Sequence, residues 1–415
     1  MIDDTIAAFL KQDAVTRFMR YVQIDTTADE KSGTHPSSDA QRDLARILET
    51  ELEGLGLEQI RVDDACYVYA VLPASDGATG PPITLCAHLD TSPSEAGADV
   101  KPIRHADYDG GTISFPDNPQ LTLSPADSPE LRDCVGHAII TASGTTLLGA
   151  DDKAGIAEIM AALAAFKAFP QLRHPELRIV FTPDEEIGEG TDFISMDKLG
   201  AYGYTIDGGE IGELEDECFD AMRAALVFHG HNVHPGKAKN RMRNAGAIAA
   251  RFLAALPEYE TPEHTELREG FWHLTEMQGH ENHALLSMII RDFEHARNEQ
   301  RVQLLRDLIA AFETKYPGLR IELDVKEQYK NMNEILQHHQ DVTQKAAEAI
   351  RMAGLRVKRI AIRGGTDGAR LSFKGMPTPN IFSGGMLVHS KKEWISELAL
   401  QKAAEVILHL SRLWT

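Results

Sequence analysis

Apolar residues recur at steps of three or four in some stretches of the chain and form short unbroken runs in others. The first spacing predicts helices, and the second predicts buried strands. The predicted helices cover residues 44–55, 155–166, 244–256, 297–314 and 396–413, and the predicted strands cover residues 67–72, 83–90, 177–181, 202–206, 224–228, 287–290, 320–325, 360–362 and 381–382. Residues 91–146 are rich in Asp, Pro, Gly and Ser, which predicts loops with short strands.

The order of these elements predicts the fold class. Strands alternate with helices before residue 216 and after residue 330, which is typical of an α/β fold with a mostly parallel sheet and helices on both faces. The elements between them predict a smaller α+β domain, and 415 residues exceed one ordinary core. We therefore predict a discontinuous larger domain, residues 1–216 and 330–415, and an inserted domain, residues 217–329.

Composition and charge exclude several classes of protein. Hydrophobic residues make up 43% of the chain and charged residues 25%, and no apolar run is long enough to span a bilayer. The formal net charge of −21 opposes binding to nucleic acid or to an anionic membrane. The first residues show no secretory signal, which indicates a cytoplasmic protein. The four cysteines are widely spread and form no CxxC pair, so neither a disulfide framework nor a cysteine zinc site is expected.

Histidine and carboxylate residues follow several of the predicted strands. His88 and Asp90 end one apolar run, Glu185 and Glu186 follow another, and Asp207 ends a third. The carboxyl ends of parallel strands meet at one edge of a sheet, so these side chains should collect there. On a strand, His88 and Asp90 share a face; Asp90 could therefore hold the imidazole or both could serve one site, although a structural histidine fits this short pattern equally well.

Asp151 and Asp152 precede the predicted helix that begins near Gly155. Taken alone, this pair is most simply interpreted as a helix cap that also compensates the helix dipole. Adjacent side chains point apart, so both can face one ligand only if the backbone bends sharply. Several carboxylates buried together would raise one another's pKa values, and a metal ion is the simplest remedy.

The donor atoms of the candidate site indicate the metal. Two histidines, His88 and His389, and the carboxylates offer nitrogen and oxygen without thiolate, which suits zinc, with cobalt or manganese as substitutes. Three carboxylates together with the two histidines make five side chains, which are too many for one tetrahedral zinc with an open position. Two ions about 3.5–4 Å apart that share one carboxylate would use all five. The Gly-rich residues 363–368 could also form a phosphate loop, but the lysine and the spacing that such a loop requires are missing.

Seven segments resemble the peptidase T family of tripeptide aminopeptidases, in the di-zinc metallopeptidase clan of aminoacylase and carboxypeptidase G2. The resemblance covers nearly the whole chain in family order and implies the zinc exopeptidase fold with an inserted lid or dimerisation domain. The segments are TLCAHLDTSP, GTTLLGADDKAGIAEI, FTPDEEIGEG, IDGGEIGELE, NVHPGKAKN, IIRDF and IRGGTDGARLSF.

The resemblance implies a role for each site residue. Asp151 would bridge two zinc ions and would be followed by a cis peptide bond to Asp152. One ion would be completed by His88 and Asp207, and the other by Glu186 and His389. Asp90 would orient His88. Glu185 would be the general base that activates a zinc-bridging hydroxide and then delivers a proton to the leaving amine.

Four further residues match substrate-contact positions of the clan: His234, Asn244, Arg291 and Arg363. The resemblance implies that His234 stabilises the oxyanion over the metals once the domains close. An exposed loop histidine usually has no such role, and Arg291 could instead form a surface ion pair with Asp292 or Glu294. Clan members often dimerise through the inserted domain, but no apolar stripe in residues 217–329 decides whether this chain forms a homodimer.

The sequence thus predicts a cytoplasmic zinc-dependent tripeptidase that takes short peptides with a free N-terminus. The alternative is a related clan activity, namely a dipeptidase, a carboxypeptidase or an N-acyl-amino-acid hydrolase. A third interpretation is a binding protein that has kept the fold and lost catalysis, although all five metal ligands and Glu185 are present.

Overall fold

The computed structural model describes residues 2–415, so Met1, the first residue of the predicted larger domain, lies outside it. The described residues form two compact units. Unit 1 comprises the chain up to Asp216 together with Glu334–Ile360 and Thr366–Thr415, and unit 2 comprises Glu217–Asn333 and Ala361–Gly365.

The helices are α1 (Asp4–Tyr21), α2 (Gln41–Leu55), α3 (Ala150–Ala168), α4 (Ala245–Leu253), α5 (His295–Lys315), α6 (Asn333–Leu336), α7 (Gln340–Met352), α8 (Asp367–Phe373) and α9 (Glu397–Leu413). The strands are β1 (Glu58–Val62), β2 (Val68–Leu72), β3 (Ile83–His88), β4 (Ile103–His105), β5 (Ile113–Phe115), β6 (Asn118–Leu123), β7 (Ile139–Thr141), β8 (Leu177–Thr182), β9 (Tyr202–Gly208), β10 (Glu213–Cys218), β11 (Asp220–His229), β12 (Phe271–Gly279), β13 (His283–Asp292), β14 (Arg320–Tyr329), β15 (Lys358–Ile362), β16 (Asn380–Phe382) and β17 (Trp394–Ser396).

The main sheet has the strand order β1-β2-β8-β3-β9-β16-β10-β15. Its four central strands, β8, β3, β9 and β16, run parallel, while β1, β2 and β10 pair antiparallel with their neighbours. The predicted α/β class is therefore confirmed: the parallel part of the sheet lies at its centre, and the sheet as a whole is mixed. Because β3, β8 and β9 are neighbours, their carboxyl ends lie side by side.

Helices cover both faces of the main sheet. On β3, Leu85 joins a large apolar core with α1, α3 and α9, while the neighbouring Cys86 packs in a second cluster with Leu371 of α8. This alternation is what a central strand buried on both faces requires.

A glycine brings α3 unusually close to β9. A Cβ atom on Gly155 would lie 1.9 Å from the carbonyl oxygen of Ile206, so any larger side chain would push the helix away from the strand. The start of α3 and the end of β9, which carries Asp207, are thereby held close together.

Unit 2 consists of an antiparallel sheet in the order β12-β13-β11-β14, with α4 and α5 packed on one face. Leu226 and Met288 point from the sheet into the apolar core that Ile248 of α4 and Leu305 of α5 complete. The other side chains of β11 alternate toward the uncovered face, as the period of two requires.

The hydrophobic spacing did not predict several elements of the described chain, among them β1, β10, β12, α1 and α7. The edge strand β12 is exposed over most of its length, so it lacks the apolar run that marks a buried strand. Helix α1 was not predicted either, although Ile6, Leu10, Ala14 and Phe18 form a buried stripe at steps of four. Within residues 2–415, no helix is both long enough and apolar enough to traverse a bilayer.

Candidate metal centre

The predicted histidine and carboxylate side chains meet at the carboxyl edge of the central strands. His88 is the last residue of β3, Asp207 lies near the end of β9, and Glu186 follows β8 by four residues. His389 lies in the loop after β16, the strand next to β9. Parallel pairing of these strands explains why residues as distant in sequence as His88 and His389 share one site.

Asp151 lies between the two histidines. One carboxylate oxygen, Oδ1, is 2.9 Å from His88 Nε2, and the other, Oδ2, is 3.1 Å from His389 Nε2. The backbone dihedral angles of Asp151 and Asp152 are not helical, and the peptide bond between these two residues is cis, as the family resemblance implied. This arrangement is suited to a carboxylate that offers one oxygen to each of two metal ions.

Asp152 points elsewhere and caps the regular part of α3, which follows the two non-helical residues Asp151 and Asp152. Its Oδ1 accepts the backbone N–H of Gly155, and its Oδ2 accepts that of His88, both at 3.2 Å. The capping interpretation of the Asp pair therefore holds for Asp152 and not for Asp151, whose side chain the sharp bend turns toward the histidines.

Asp207 and Glu186 complete the group. His88 Nε2 lies 3.6 Å from Asp207 Oδ1, and His389 Nε2 lies 2.9 Å from Glu186 Oε2. The structure thus brings together all five residues that the sequence analysis proposed as ligands, with Asp151 at the centre.

The other ring nitrogen of His88 is held by Asp90. His88 Nδ1 donates to the backbone carbonyl of Asp90 at 3.0 Å, and the Asp90 carboxylate lies further away, at 3.4 Å. Because a carbonyl oxygen can only accept, this bond places the proton on Nδ1 and directs Nε2 toward Asp151. Asp90 was predicted to orient His88 through its side chain, but the closer contact is made by its backbone.

The Asp90 carboxylate instead holds the turn that contains the two glutamates. Its oxygens accept the backbone N–H groups of Glu185 at 3.0 Å and Glu186 at 3.1 Å. The same turn is fixed on its other side, where the Asp184 carboxylate accepts the backbone N–H of Ser37 at 2.8 Å and the side-chain amide of Gln41 at 2.6 Å. The turn that carries the proposed base is thereby held at both ends.

Burial and like charge shift the pKa values of these carboxyl groups. Burial raises the pKa of Asp207 to about 6. Burial, reinforced by the charge of Asp151, raises the pKa of Glu186 to about 7, and burial raises that of Glu185 well above its usual range. For Asp151, burial acts in the same direction, but the hydrogen bonds with His389 and His88 outweigh it and lower the pKa.

The residues present fit a pair of divalent cations. Ligand atoms of His88, Asp151 and Glu186 lie within 4.8 Å of one another. Those of His88, Asp152 and Asp207 do so too, but both Asp152 oxygens already accept backbone N–H groups, so Asp207 is assigned to the site through its contact with His88. Glu186 Oε1 is buried and has no hydrogen-bond partner within the described chain, so it is an acceptor without a donor. A cation would satisfy this oxygen and would offset the cost of burying several carboxylates together.

The four predicted substrate contacts lie in unit 2, and each of them forms hydrogen bonds within that unit. Asn244 caps α4, with its Oδ1 accepting the backbone N–H of Ala247 at 3.0 Å. The Arg363 guanidinium donates to the backbone carbonyls of Leu267 and Glu269 at 2.9 and 2.8 Å. His234 is on the exposed loop before Lys237, and its Nδ1 accepts the backbone N–H of Gly236.

Arg291 does not form the surface ion pair that was its alternative interpretation. Its side chain is buried, and Nη1 donates to the backbone carbonyls of Met222 and Ile290 at 3.1 and 3.0 Å. Asp292 pairs instead with Arg301, at 2.6 Å.

Glu393, which was not among the predicted site residues, is a buried carboxylate that binds the backbone around Asp151. In the sequence, Glu393 is a single glutamate four residues after His389 and next to the apolar pair Trp394-Ile395. One charged residue next to a short strand does not by itself indicate burial, so the contact with residues 148–151 could come only from the structure.

Known proteins are similar to this chain in sequence over nearly its whole length. A family model described as peptidase family M20/M25/M40 matches residues 147–412. The protein called peptidase T from Geobacillus thermodenitrificans is 46% identical over 406 residues, which cover 98% of this chain and 99% of that protein. Peptidase T from Listeria monocytogenes is 43% identical over 406 residues, with the same coverage.

Solved structures share the fold. The aminopeptidase PepT from Bacillus cereus superimposes with a TM-score of 0.76 at 22% identity, and the match covers 97% of this chain and 98% of that one. The Bacillus subtilis protein YXEP, described as a dinuclear metal binding peptidase from the M20 family, gives a TM-score of 0.66 at 14% identity with the same coverage.

Proposed function

The chain belongs to peptidase family M20/M25/M40 and is a metal-dependent aminopeptidase, and we propose that it uses two zinc ions to remove the N-terminal residue from tripeptides. The observation that carries this proposal is the position of Asp151, whose two oxygens face one histidine each, at 2.9 and 3.1 Å. The relatives named peptidase T support the restriction to tripeptides. A protein described as a tripeptidase, from Staphylococcus aureus, shares the fold: its structure superimposes with a TM-score of 0.75 at 22% identity, over 97% of this chain and 98% of that one.

The donor set supports zinc. Imidazole nitrogen and carboxylate oxygen, without thiolate, suit zinc, and cobalt or manganese could replace it. Asp151 would be shared between the ions, His88 and Asp207 would hold one, and Glu186 and His389 would hold the other. Zinc bound here would polarise the peptide carbonyl and lower the pKa of a bound water to about 7.

Glu185 is proposed as the general base. Burial raises its pKa well above the usual range, so the carboxylate binds a proton more readily than an exposed glutamate does. It would accept a proton from the attacking water and pass that proton to the amine that leaves. The hydrogen bond from its backbone N–H to Asp90 keeps the residue in place while its side chain exchanges the proton.

Four residues of unit 2 are proposed as substrate contacts: His234, Asn244, Arg291 and Arg363. The exposed position of His234 leaves its imidazole accessible, and it would donate to the oxyanion that forms during attack on the peptide bond. In Asn244, the capping bond uses Oδ1, so the side-chain amide N–H groups would be the ones offered to a substrate carbonyl.

The experiment that tests this function compares trialanine, N-acetyl-trialanine and dialanine, each with zinc-loaded protein and with a chelated control. We expect metal-dependent cleavage of trialanine alone, with release of one alanine and dialanine. Cleavage of the acetylated peptide at a similar rate would instead indicate a carboxypeptidase or an N-acyl-amino-acid hydrolase, and cleavage of dialanine would indicate a dipeptidase. Zinc binding without cleavage of any of the three would indicate a binding protein.

A further inference from the structure

Glu393 binds the backbone of the turn that carries Asp151. Its side chain is only 1% exposed. One oxygen, Oε2, accepts the backbone N–H groups of Leu148 at 2.7 Å and Gly149 at 2.8 Å, and the other, Oε1, accepts that of Asp151 at 3.1 Å. Three N–H groups of one turn thus converge on a single carboxylate.

Glu393 belongs to the same loop as His389. Met386 and Trp394 close this loop through two backbone hydrogen bonds, of 2.9 and 3.0 Å, and His389 lies within it in a left-handed conformation, with φ of 60°. Such a conformation is uncommon for a residue other than glycine, and the surrounding contacts must therefore maintain it. The Glu393 carboxylate joins this loop to the turn that contains Asp151.

We propose that Glu393 is a positioning residue, which holds the Asp151 turn and the His389 loop together so that both side chains reach the same metal ion. This inference rests on the proposed two-metal function. The contact between His389 Nε2 and Asp151 Oδ2, at 3.1 Å, is the distance that the Glu393 hydrogen bonds would maintain.

The chemistry of these contacts explains why a glutamate is required. Both oxygens of Glu393 act only as acceptors toward N–H donors. Glutamine has nearly the same shape, but in either orientation its NH₂ group would face a backbone N–H, so at least one bond would be lost and one buried donor left without a partner. Residues that orient metal ligands in this way typically change metal affinity by about 10–100-fold when they are replaced.

The variant Glu393→Gln tests the inference, with Glu397→Gln as the matched control. Glu397 is another buried carboxylate, four residues further along, but it pairs with Lys11 and Arg104 and makes no hydrogen bond to the Asp151 turn. The measurement is stepwise zinc binding to metal-free protein in competition with a chromophoric chelator, together with the melting temperature of the metal-free protein. Hydrolysis of trialanine is measured separately.

We expect Glu393→Gln to weaken the binding of at least one zinc ion by about 10–100-fold, and Glu397→Gln to leave both zinc affinities unchanged. Should Glu393→Gln fail to fold, Glu393→Asp, which keeps the charge but is one methylene shorter, is expected to weaken zinc binding in the same direction. Wild-type zinc affinity in the Glu393 variant would overturn the inference, as would an equal loss in the Glu397 control, since that would reflect general destabilisation.

The two proposals can fail independently. A wild-type protein that binds two zinc ions but cleaves no tripeptide would refute the proposed function while leaving the role of Glu393 intact. A wild-type protein that cleaves trialanine, together with unchanged zinc affinity in Glu393→Gln, would refute only the role of Glu393.

Discussion

The Asp90 carboxylate accepts the backbone N–H of Glu185 at 3.0 Å, so a residue that follows β3 fixes the position of the proposed base after β8. The second oxygen of Asp90 accepts the N–H of Glu186, and the Asp90 carbonyl accepts Nδ1–H of His88. One buried residue therefore contacts His88 and Glu186, which are proposed metal ligands, and Glu185, the proposed base. Because one residue contacts all three, through its carboxylate and its carbonyl, Asp90 would couple metal binding to the placement of the base.

Replacement of Asp90 by asparagine should reduce activity. The amide NH₂ would face a backbone N–H of Glu185 or Glu186 in either orientation, which would displace the turn. We expect kcat/KM for trialanine to fall by about 10–100-fold, the range typical of residues that orient metal ligands. The control is Asp99→Asn, at an exposed position of the following loop. Equal activity of the two variants would contradict this role.

Replacement of Glu185 by glutamine should remove the general base and leave the metal in place. We expect kcat to fall by about 10²–10⁴-fold, as is usual when a general acid–base group is lost, with the zinc content unchanged. Glu189→Gln serves as the control, because that side chain lies four residues away and is 49% exposed. A Glu185 variant that keeps both its zinc and full turnover would rule out this assignment.

Removal of the metal should destabilise unit 1. Without cations, the carboxylates of Asp151, Glu186 and Asp207 repel one another in a buried space. For one site, zinc at 100 times its dissociation constant should add about 2.7 kcal/mol to the free energy of unfolding. This gain is measurable as a rise in melting temperature when zinc is added back to protein from which a chelator has removed the metal. The variant Asp151→Asn should lose most of that rise, and an equal rise in both proteins would contradict the shared position of Asp151.

The pH dependence of stability should include a contribution from Glu215. Burial raises the pKa of this carboxyl group to about 8, and the Asn380 side chain donates to Oε2 at 3.1 Å. The folded chain therefore keeps a proton that the unfolded chain releases near pH 4.5. The resulting stabilisation is complete below pH 4.5 and is lost as the pH rises to about 8.

The variant Glu215→Gln has no proton to lose, so its stability relative to wild type should increase from pH 5 to pH 9. The expected change is a few kcal/mol, since one pKa unit corresponds to about 1.4 kcal/mol. Melting temperatures measured in excess chelator exclude any effect of metal binding. Glu348→Gln, at a side chain that is 52% exposed, should follow the wild-type profile. A constant difference between Glu215→Gln and wild type across this range would show that Glu215 titrates normally.

Replacement of His234 by alanine should impair turnover without affecting the metal. Loss of one oxyanion donor typically lowers kcat by about 10²–10³-fold. His231→Ala is the control, because this histidine lies three residues earlier in the same exposed segment. Unchanged kcat in the His234 variant would remove this residue from the mechanism, and a loss of zinc would show that its effect is indirect.

Much of the fold and of the proposed metal centre followed from the sequence. The spacing of apolar residues located β3, β8 and β9, and the carboxyl ends of parallel strands necessarily share an edge. The sequence alone therefore groups His88, Glu186 and Asp207 at that edge. Strand β12 was missed because an exposed edge strand needs few apolar residues, so local spacing contains little sign of it.

Only the tertiary structure decided how individual side chains divide their tasks. Two adjacent aspartates look alike in sequence, yet Asp151 faces the histidines while Asp152 caps α3. Likewise, only the folded chain shows that Glu393 binds residues 148–151 and that Arg291 is buried among carbonyl groups. The physical reason is that hydrophobic periodicity reports which face of an element is buried, whereas the direction of a side chain in a turn depends on backbone angles and on partners far away in the sequence.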